Sequence, residues 1–193
     1  MNVQEATTRR LPDLKGRYLP ENCRETINTI LKETYGYEQF RNLEIYDDLS
    51  KGKEKLCISQ GQLIENVILE AEKAWKGETQ VDNILLTAPT GSGKSLLFQL
   101  PAIYLGKEYN LLTIVVSPLK ALIVDQVESL QELGYMRVAY ASSDLSPEQK
   151  MEVYRQVREG EIDLFYLSPE LLLSYDIKHF VGERRIGLVV VDE

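Results

Sequence analysis

A parallel β-sheet with helices on both faces is the fold class that this sequence predicts. From Ile58 onward, short apolar runs alternate with helical patterns, the rhythm of repeated βαβ units. The apolar runs lack the period-two alternation of a half-exposed strand, which suits strands covered on both sides. The length of 193 residues suffices for one such sheet with an appendage.

The elements follow in order. Residues 1–55 are polar and mixed, and read as a mostly helical or irregular N-terminal extension. Within it, Glu21–Gly36 places Ile27, Ile30 and Leu31 at helical spacing, and Asp47–Lys55 (DDLSKGKEK) reads as a surface loop. Residues 56–193 form the predicted α/β domain. Gly61–Trp75 is an amphipathic helix with Ile64, Val67, Ile68, Ala71 and Trp75 on one side. Asn83–Ala88 (NILLTA) is a buried strand that leads into a helix over about 94–105. Leu111–Ser117 is a strand, followed by a helix over Leu119–Leu133 closed by Gly134. Arg137–Ala141 is a strand. The next helix has Ser146 as N-cap, Pro147 at its first position and Gly160 at its end. Ile162–Ser168 is a strand with a short helix from Pro169, and Ile186–Glu193 is the last strand.

Composition narrows the function classes. The net charge is −8, from 22 basic and 30 acidic residues, which argues against tight autonomous nucleic-acid binding but not against a local basic patch. Two cysteines, Cys23 and Cys57, no CxxC and a single histidine argue against a metal cluster or a disulfide framework and fit a reducing cytoplasm. No apolar run is long enough to span a bilayer, and the polar start MNVQEATTRR does not read as a signal peptide.

The chemistry concentrates at the edge where strands end. Ala88-Pro89-Thr90-Gly91-Ser92-Gly93-Lys94-Ser95 follows a predicted strand, opens a predicted helix and ends in Gly-Lys-Ser, which is the context and ending of a phosphate-binding loop. Alanine replaces the usual first glycine, at a position that ends the strand rather than forming the cradle. Gly91 and Gly93 let the backbone turn its N–H groups toward phosphate oxygens, and the helix N-terminus adds positive charge. Thr90, Gly91, Ser92, Gly93, Lys94 and Ser95 are therefore candidate nucleotide-binding residues, with Lys94 reaching the β/γ-phosphates and the Ser95 hydroxyl ligating Mg²⁺. At the far end of the chain, Val189-Val190-Val191-Asp192-Glu193 is an apolar strand ending in two carboxylates, at the edge where doubly wound sheets bind ligands. Asp192 fits the acid that helps hold Mg²⁺, and Glu193 the group that orients or deprotonates the attacking water. Each half has a plain structural reading: a glycine-rich turn with an exposed lysine, or a solvated strand end. The correct spacing and the pairing favour ATP or GTP hydrolysis.

Four motifs in order resemble superfamily 2 helicases, over roughly Ile58–Glu193. APTGSGKSLLFQLPAIYL is similar to motif I of the RecQ branch, which typically has glycine where Ser92 stands. VVSPLKALIVDQVESLQELG (Val115–Gly134) resembles the RecQ motif Ia, LFYLSPELLL (Leu164–Leu173) its Ser-Pro-Glu element, and VVVDE the start of a DEAD/DEAH motif II. The resemblance implies a RecA-like lobe, ATP and Mg²⁺ as cofactors, and DNA, single-stranded or with a single-stranded tail, as partner. It implies that Ser117, Pro118, Lys120 and Ser168 lie on loops touching the nucleic-acid backbone. Asp125-Gln126 match the family's Asp-Gln; Ser142-Ser143 lie where it has a further DNA-side motif. The family reads adenine with a glutamine in a Phe-Arg-Pro-Gly-Gln stretch. Gly61-Gln62 matches its end, so Gln62 is the candidate adenine contact with Gln60 as fallback, although no Phe-Arg-Pro precedes them.

The expectation is thus the first motor lobe of an ATP-dependent helicase acting 3′-to-5′ on DNA, cut within motif II, with the second lobe and its arginine finger lying elsewhere in a longer protein. Other readings are a DEAD-box RNA helicase, a defence-system translocase, and a nucleotide-dependent nucleic-acid-binding protein without unwinding activity. An unrelated P-loop kinase or transporter ATPase fits the Ser-Pro-Leu and Ser-Pro-Glu elements poorly.

Overall fold

The computed structural model describes residues 23–46, 55–86 and 91–192. Its centre is a four-stranded parallel sheet in the order β4-β5-β3-β6. These strands are β3 (Leu112–Val116), β4 (Val138–Ala141), β5 (Leu164–Leu167) and β6 (Ile186–Val191). β3 pairs with β5 and β6, and β4 with β5, all in parallel. Crossovers between parallel strands require intervening helices, and these cover both faces. The predicted parallel α/β class is therefore the observed one.

One face carries Val115, Val138, Leu164 and Tyr166 and packs into a core shared with α1 (Glu25–Tyr35), α2 (Gln60–Trp75), α3 (Leu96–Tyr109) and α4 (Lys120–Glu132). The other face carries Ile114, Val116, Ala139, Phe165 and Leu167, packed against α5 (Pro147–Glu159) and α7 (Ile177–Val181). Between them, α6 (Pro169–Ser174) follows β5 directly. Ile27, Ile30 and Leu31 are the buried face of α1, as their spacing predicts. α3 is apolar all round and buried from Leu96 to Gly106, as befits a helix at the centre of a core. α5 starts at Ser146, whose hydroxyl accepts from the Gln149 N–H in a capping box, and ends at Gly160 with φ 81°, the left-handed geometry that glycine adopts without strain.

Two features depart from the expectation. Residues 83–86 carry no strand assignment; Thr87 and Ala88 lie outside the described residues. Leu85 is exposed while Leu86 packs against the first core. The apolar run favours an extended segment, but a strand also needs a partner's ladder, and no pairing of 83–86 appears among the described residues. Second, the polar stretch after α1 begins and ends in an antiparallel hairpin, β1 (Asn42–Tyr46) with β2 (Lys55–Ser59), whose intervening residues lie outside the described set.

Candidate nucleotide site

The phosphate loop turns at Gly91 (φ 79°) and Gly93 (φ 81°), a region closed to most side-chain-bearing residues. Gly93 has a second constraint: a Cβ there would sit 2.7 Å from Gln60 Nε2. Lys94 and Ser95 follow, and their carbonyls accept the Leu97 and Gln99 N–H groups, so α3 grows directly out of the loop. Thr90 lies outside the described residues.

Ser95 is fixed from a neighbouring helix on the same face of the sheet. Gln126 of α4 donates through Nε2 to Ser95 Oγ (2.8 Å). The Gln126 Oε1 accepts from Gln99 Nε2 (2.7 Å) and from the Tyr166 hydroxyl (3.2 Å). Tyr35 of α1 closes the chain by donating to Gln99 Oε1 (3.2 Å). Burial pushes the Tyr166 phenol well above its usual range; the bond from Gln99 opposes this, and the Asp192 carboxylate adds to the rise. Asp192 is itself held at the end of β6, where its N–H donates to the Val116 carbonyl (2.9 Å). The Asp192 charge thus acts on the Tyr166 phenol that bonds Gln126. The Ser95 hydroxyl, bonded to Gln126, and Asp192, at the end of β6, both lie at the C-terminal edge of the parallel strands. Both are hard oxygen donors of the kind Mg²⁺ takes, and Gln126 engages only one of the two Ser95 lone pairs, so the pair fits that ion. Glu193 lies outside the described residues.

The two glutamines at the start of α2 have different work. Gln62 closes a capping box: its Oε1 accepts the Ser59 N–H (3.0 Å), while Ser59 Oγ accepts in return. Gln60, the fallback residue, is 2% exposed and lies under the phosphate loop, donating to the Ser92 and Gly93 carbonyls. Its neighbour resolves the missing Phe-Arg. Arg41 donates its N–H to Gln60 Oε1 and accepts the Gln60 N–H at its carbonyl, and Phe40 presses on Gly61, where a Cβ would meet its ring at 2.7 Å. Phe40-Arg41 therefore sits beside Gln60-Gly61-Gln62 in space. The β1–β2 hairpin is spliced between them, and this corrects the sequence reading that no Phe-Arg precedes the Gly-Gln. The signal was present in Tyr35-Gly36-Tyr37-Glu38-Gln39-Phe40-Arg41, but only chain geometry connects the two pieces.

The expected nucleic-acid residues share the same edge. Pro118 and Lys120 are exposed after β3, and Lys120 pairs with Asp144 (3.0 Å) and bonds Ser143. This brings the Ser142-Ser143 stretch beside the Ser-Pro-Leu-Lys loop. Ser117 is buried, and Ser168 is spent as the N-cap of α6, accepting from the Leu171 N–H (3.3 Å).

Comparison with known proteins decides the family. The DEAD/DEAH box helicase family model matches residues 62–193. The chain belongs to this family. Members similar to it include the ATP-dependent DNA helicase RecQ of Synechocystis, 32% identical over 88% of this chain and 29% of that protein. The ATP-dependent DNA helicase Q-like 5 of Arabidopsis thaliana is 33% identical over 88% of this chain and 15% of its own length. RecQ of Bacillus subtilis is 31% identical over 86% of this chain and 23% of its length. The chain spans less than a third of each of these helicases, and the matched part of the DEAD/DEAH box family model contains the phosphate loop, Gln126 and Asp192.

Proposed function

We propose that this chain is the nucleotide-binding first motor lobe of a RecQ-like, ATP-dependent DNA helicase that moves 3′-to-5′ and unwinds DNA as part of a longer protein. The observation that carries the proposal is that Ser95, bonded to Gln126, and Asp192, anchored by its N–H to Val116 at the end of β6, both stand at the strand edge where parallel sheets bind ligands. In this reading, Thr90 to Ser95 wrap the phosphates, Lys94 pairs with the β/γ-phosphates, and Ser95 and Asp192 hold Mg²⁺. The metal would neutralise charge on the transferring phosphate. Glu193 is the proposed base for the attacking water, adjacent in sequence to Asp192. Gln62 is the proposed adenine reader, because a side-chain amide can both donate to and accept from a base edge. Pro118 and Lys120 are proposed backbone contacts to DNA, on loops that also carry Ser117 and Ser168, the latter capping α6.

Titration of the 193-residue chain with a fluorescent ATP analogue in Mg²⁺ tests the core of this reading. Lys94→Ala removes a charge-assisted contact and should weaken binding about tenfold or more. Equal affinity in the two proteins would end the proposal.

A further inference from the structure

We infer that Gln60 is a positioning residue for phosphate binding: its buried amide ties two carbonyls of the phosphate loop and thereby aims the loop's N–H groups at the anion. The inference rests on the proposed nucleotide site and adds a residue outside the loop itself.

The hydrogen bonds of the side chain fix its orientation. Oε1 accepts from the Arg41 N–H (3.2 Å), and Nε2 donates to Ser92 O (3.2 Å) and Gly93 O (3.4 Å). The two amide hydrogens thus serve two consecutive carbonyls. In a planar trans peptide, the C=O and the following N–H point in opposite directions. Drawing the Ser92 carbonyl down toward Gln60 turns the Gly93 N–H to the other side of the loop. Drawing the Gly93 carbonyl down does the same for the Lys94 N–H. Because Gln60 is 2% exposed beneath the loop, that other side is the one open to a ligand. A nest of N–H groups binds anions only if the peptide planes are held against the mutual repulsion of their dipoles, and the Gln60 amide supplies that hold. The approach also explains Gly93, where a Cβ would collide with Gln60 Nε2 at 2.7 Å. Gln60 is itself anchored at both backbone and side chain to Arg41, so the latch is rigid. With these three bonds made, the amide is occupied by protein and is not the group that reads the base.

The test compares wild type, Gln60→Ala, Gln60→Glu and Lys94→Ala in the 193-residue chain, titrated with ATP, GTP and inorganic tripolyphosphate in Mg²⁺. Tripolyphosphate has no base, so it isolates the loop. Gln60→Ala should weaken all three ligands by one common factor, about tenfold for two lost hydrogen bonds, with the ATP-to-GTP ratio unchanged. Gln60→Glu keeps the acceptor for Arg41 but loses both donors. It should show the same loss at pH 8 and recover toward wild type at pH 5, where the carboxyl regains a donor proton. Each value is taken relative to wild type at the same pH. A purely structural defect would not reverse with pH, and Gln60→Glu carries the test if the alanine variant does not fold. Wild-type affinity for tripolyphosphate in a folded Gln60 variant that lacks the donors overturns the latch while leaving the nucleotide site standing, provided that Lys94→Ala still loses binding. A change confined to the ATP-to-GTP ratio also overturns it. If wild type fails to bind tripolyphosphate, or Lys94→Ala binds as well as wild type, the nucleotide site and the latch fall together.

Discussion

At the residue scale, Gln126 is the point where the site's polar contacts meet. It donates to Ser95 and accepts from Gln99 and Tyr166, joining α4, α3 and β5 in one network. A hydroxyl held by a fixed donor presents its remaining lone pair in one direction, which is what a metal ligand requires. Gln126→Ala should therefore raise the Mg²⁺ concentration needed for half-maximal nucleotide binding by about three- to tenfold, the worth of roughly one hydrogen bond. Nucleotide affinity without Mg²⁺ should change little; a Mg²⁺ titration monitored by nucleotide fluorescence checks both. The proposed roles of the loop, Lys94, Ser95 and Asp192 can be read from the sequence because they depend on residue types at local spacing. Gln126 was recognisable only as half of an Asp-Gln pair, since its target lies on another element. Phe40 and Arg41 were missed because an inserted hairpin separates them from Gln60.

At the element scale, α1 is docked by charge as well as by its three apolar residues. Arg24, just before the helix, bonds Glu65 (2.5 Å) and Glu72 (2.6 Å) on α2 and lies over the Tyr104 ring of α3 at 4.9 Å. Both carboxylates are nearly buried, so removing their partner leaves uncompensated charge. Arg24→Ala should cost about 3 kcal/mol and lower the midpoint of thermal unfolding by about 6–12 °C. Burial pushes the Glu72 carboxyl up, but hydrogen bonds from Arg24, Tyr109 and Tyr104 outweigh it and hold the group below its usual value. A depressed carboxylate stabilises above the unfolded value of about 4.3, and that stability is lost as pH falls through the lower folded value. Glu72→Gln should accordingly flatten the acid limb of a stability–pH curve measured by denaturant unfolding. The apolar period announced α1, yet nothing local in the sequence announced what holds it, because Arg24, Glu65, Glu72 and Tyr104 meet only in the folded chain. Of the strand expected over 83–88, the described residues 83–86 carry no assignment for a related reason: an apolar run favours extension, and pairing is a property of the neighbour.

At the scale of the whole molecule, the two ends of the sheet are built differently. Where strands begin, Asp163 is fully buried between Arg137 and Arg184 and accepts from Tyr135, so its charge is paired. Where they end lie the loops of the proposed nucleotide site. The margin of the sheet differs again: on β6, Val189 and Val191 are 58% and 77% exposed, although Ile114 and Val116 beside them on β3 are buried. No strand pairs with the outer side of β6 among the described residues. An exposed apolar edge favours self-association, opposed here by a net charge of −8. Val189→Lys should reduce concentration-dependent light scattering in moderate salt and leave thermal stability within about 0.5 kcal/mol of wild type. Unchanged scattering would assign the stickiness elsewhere.

The inserted hairpin has a practical corollary. Its return strand ends at Ser59, against the residue that touches the phosphate loop, and it carries an exposed thiol at Cys57. The second cysteine, Cys23, is half covered, and burial pushes its thiol up, which slows alkylation. A maleimide dye would thus label Cys57 first, without mutagenesis, and its emission would offer a spectroscopic gauge of nucleotide added to the proposed site beyond Gln60.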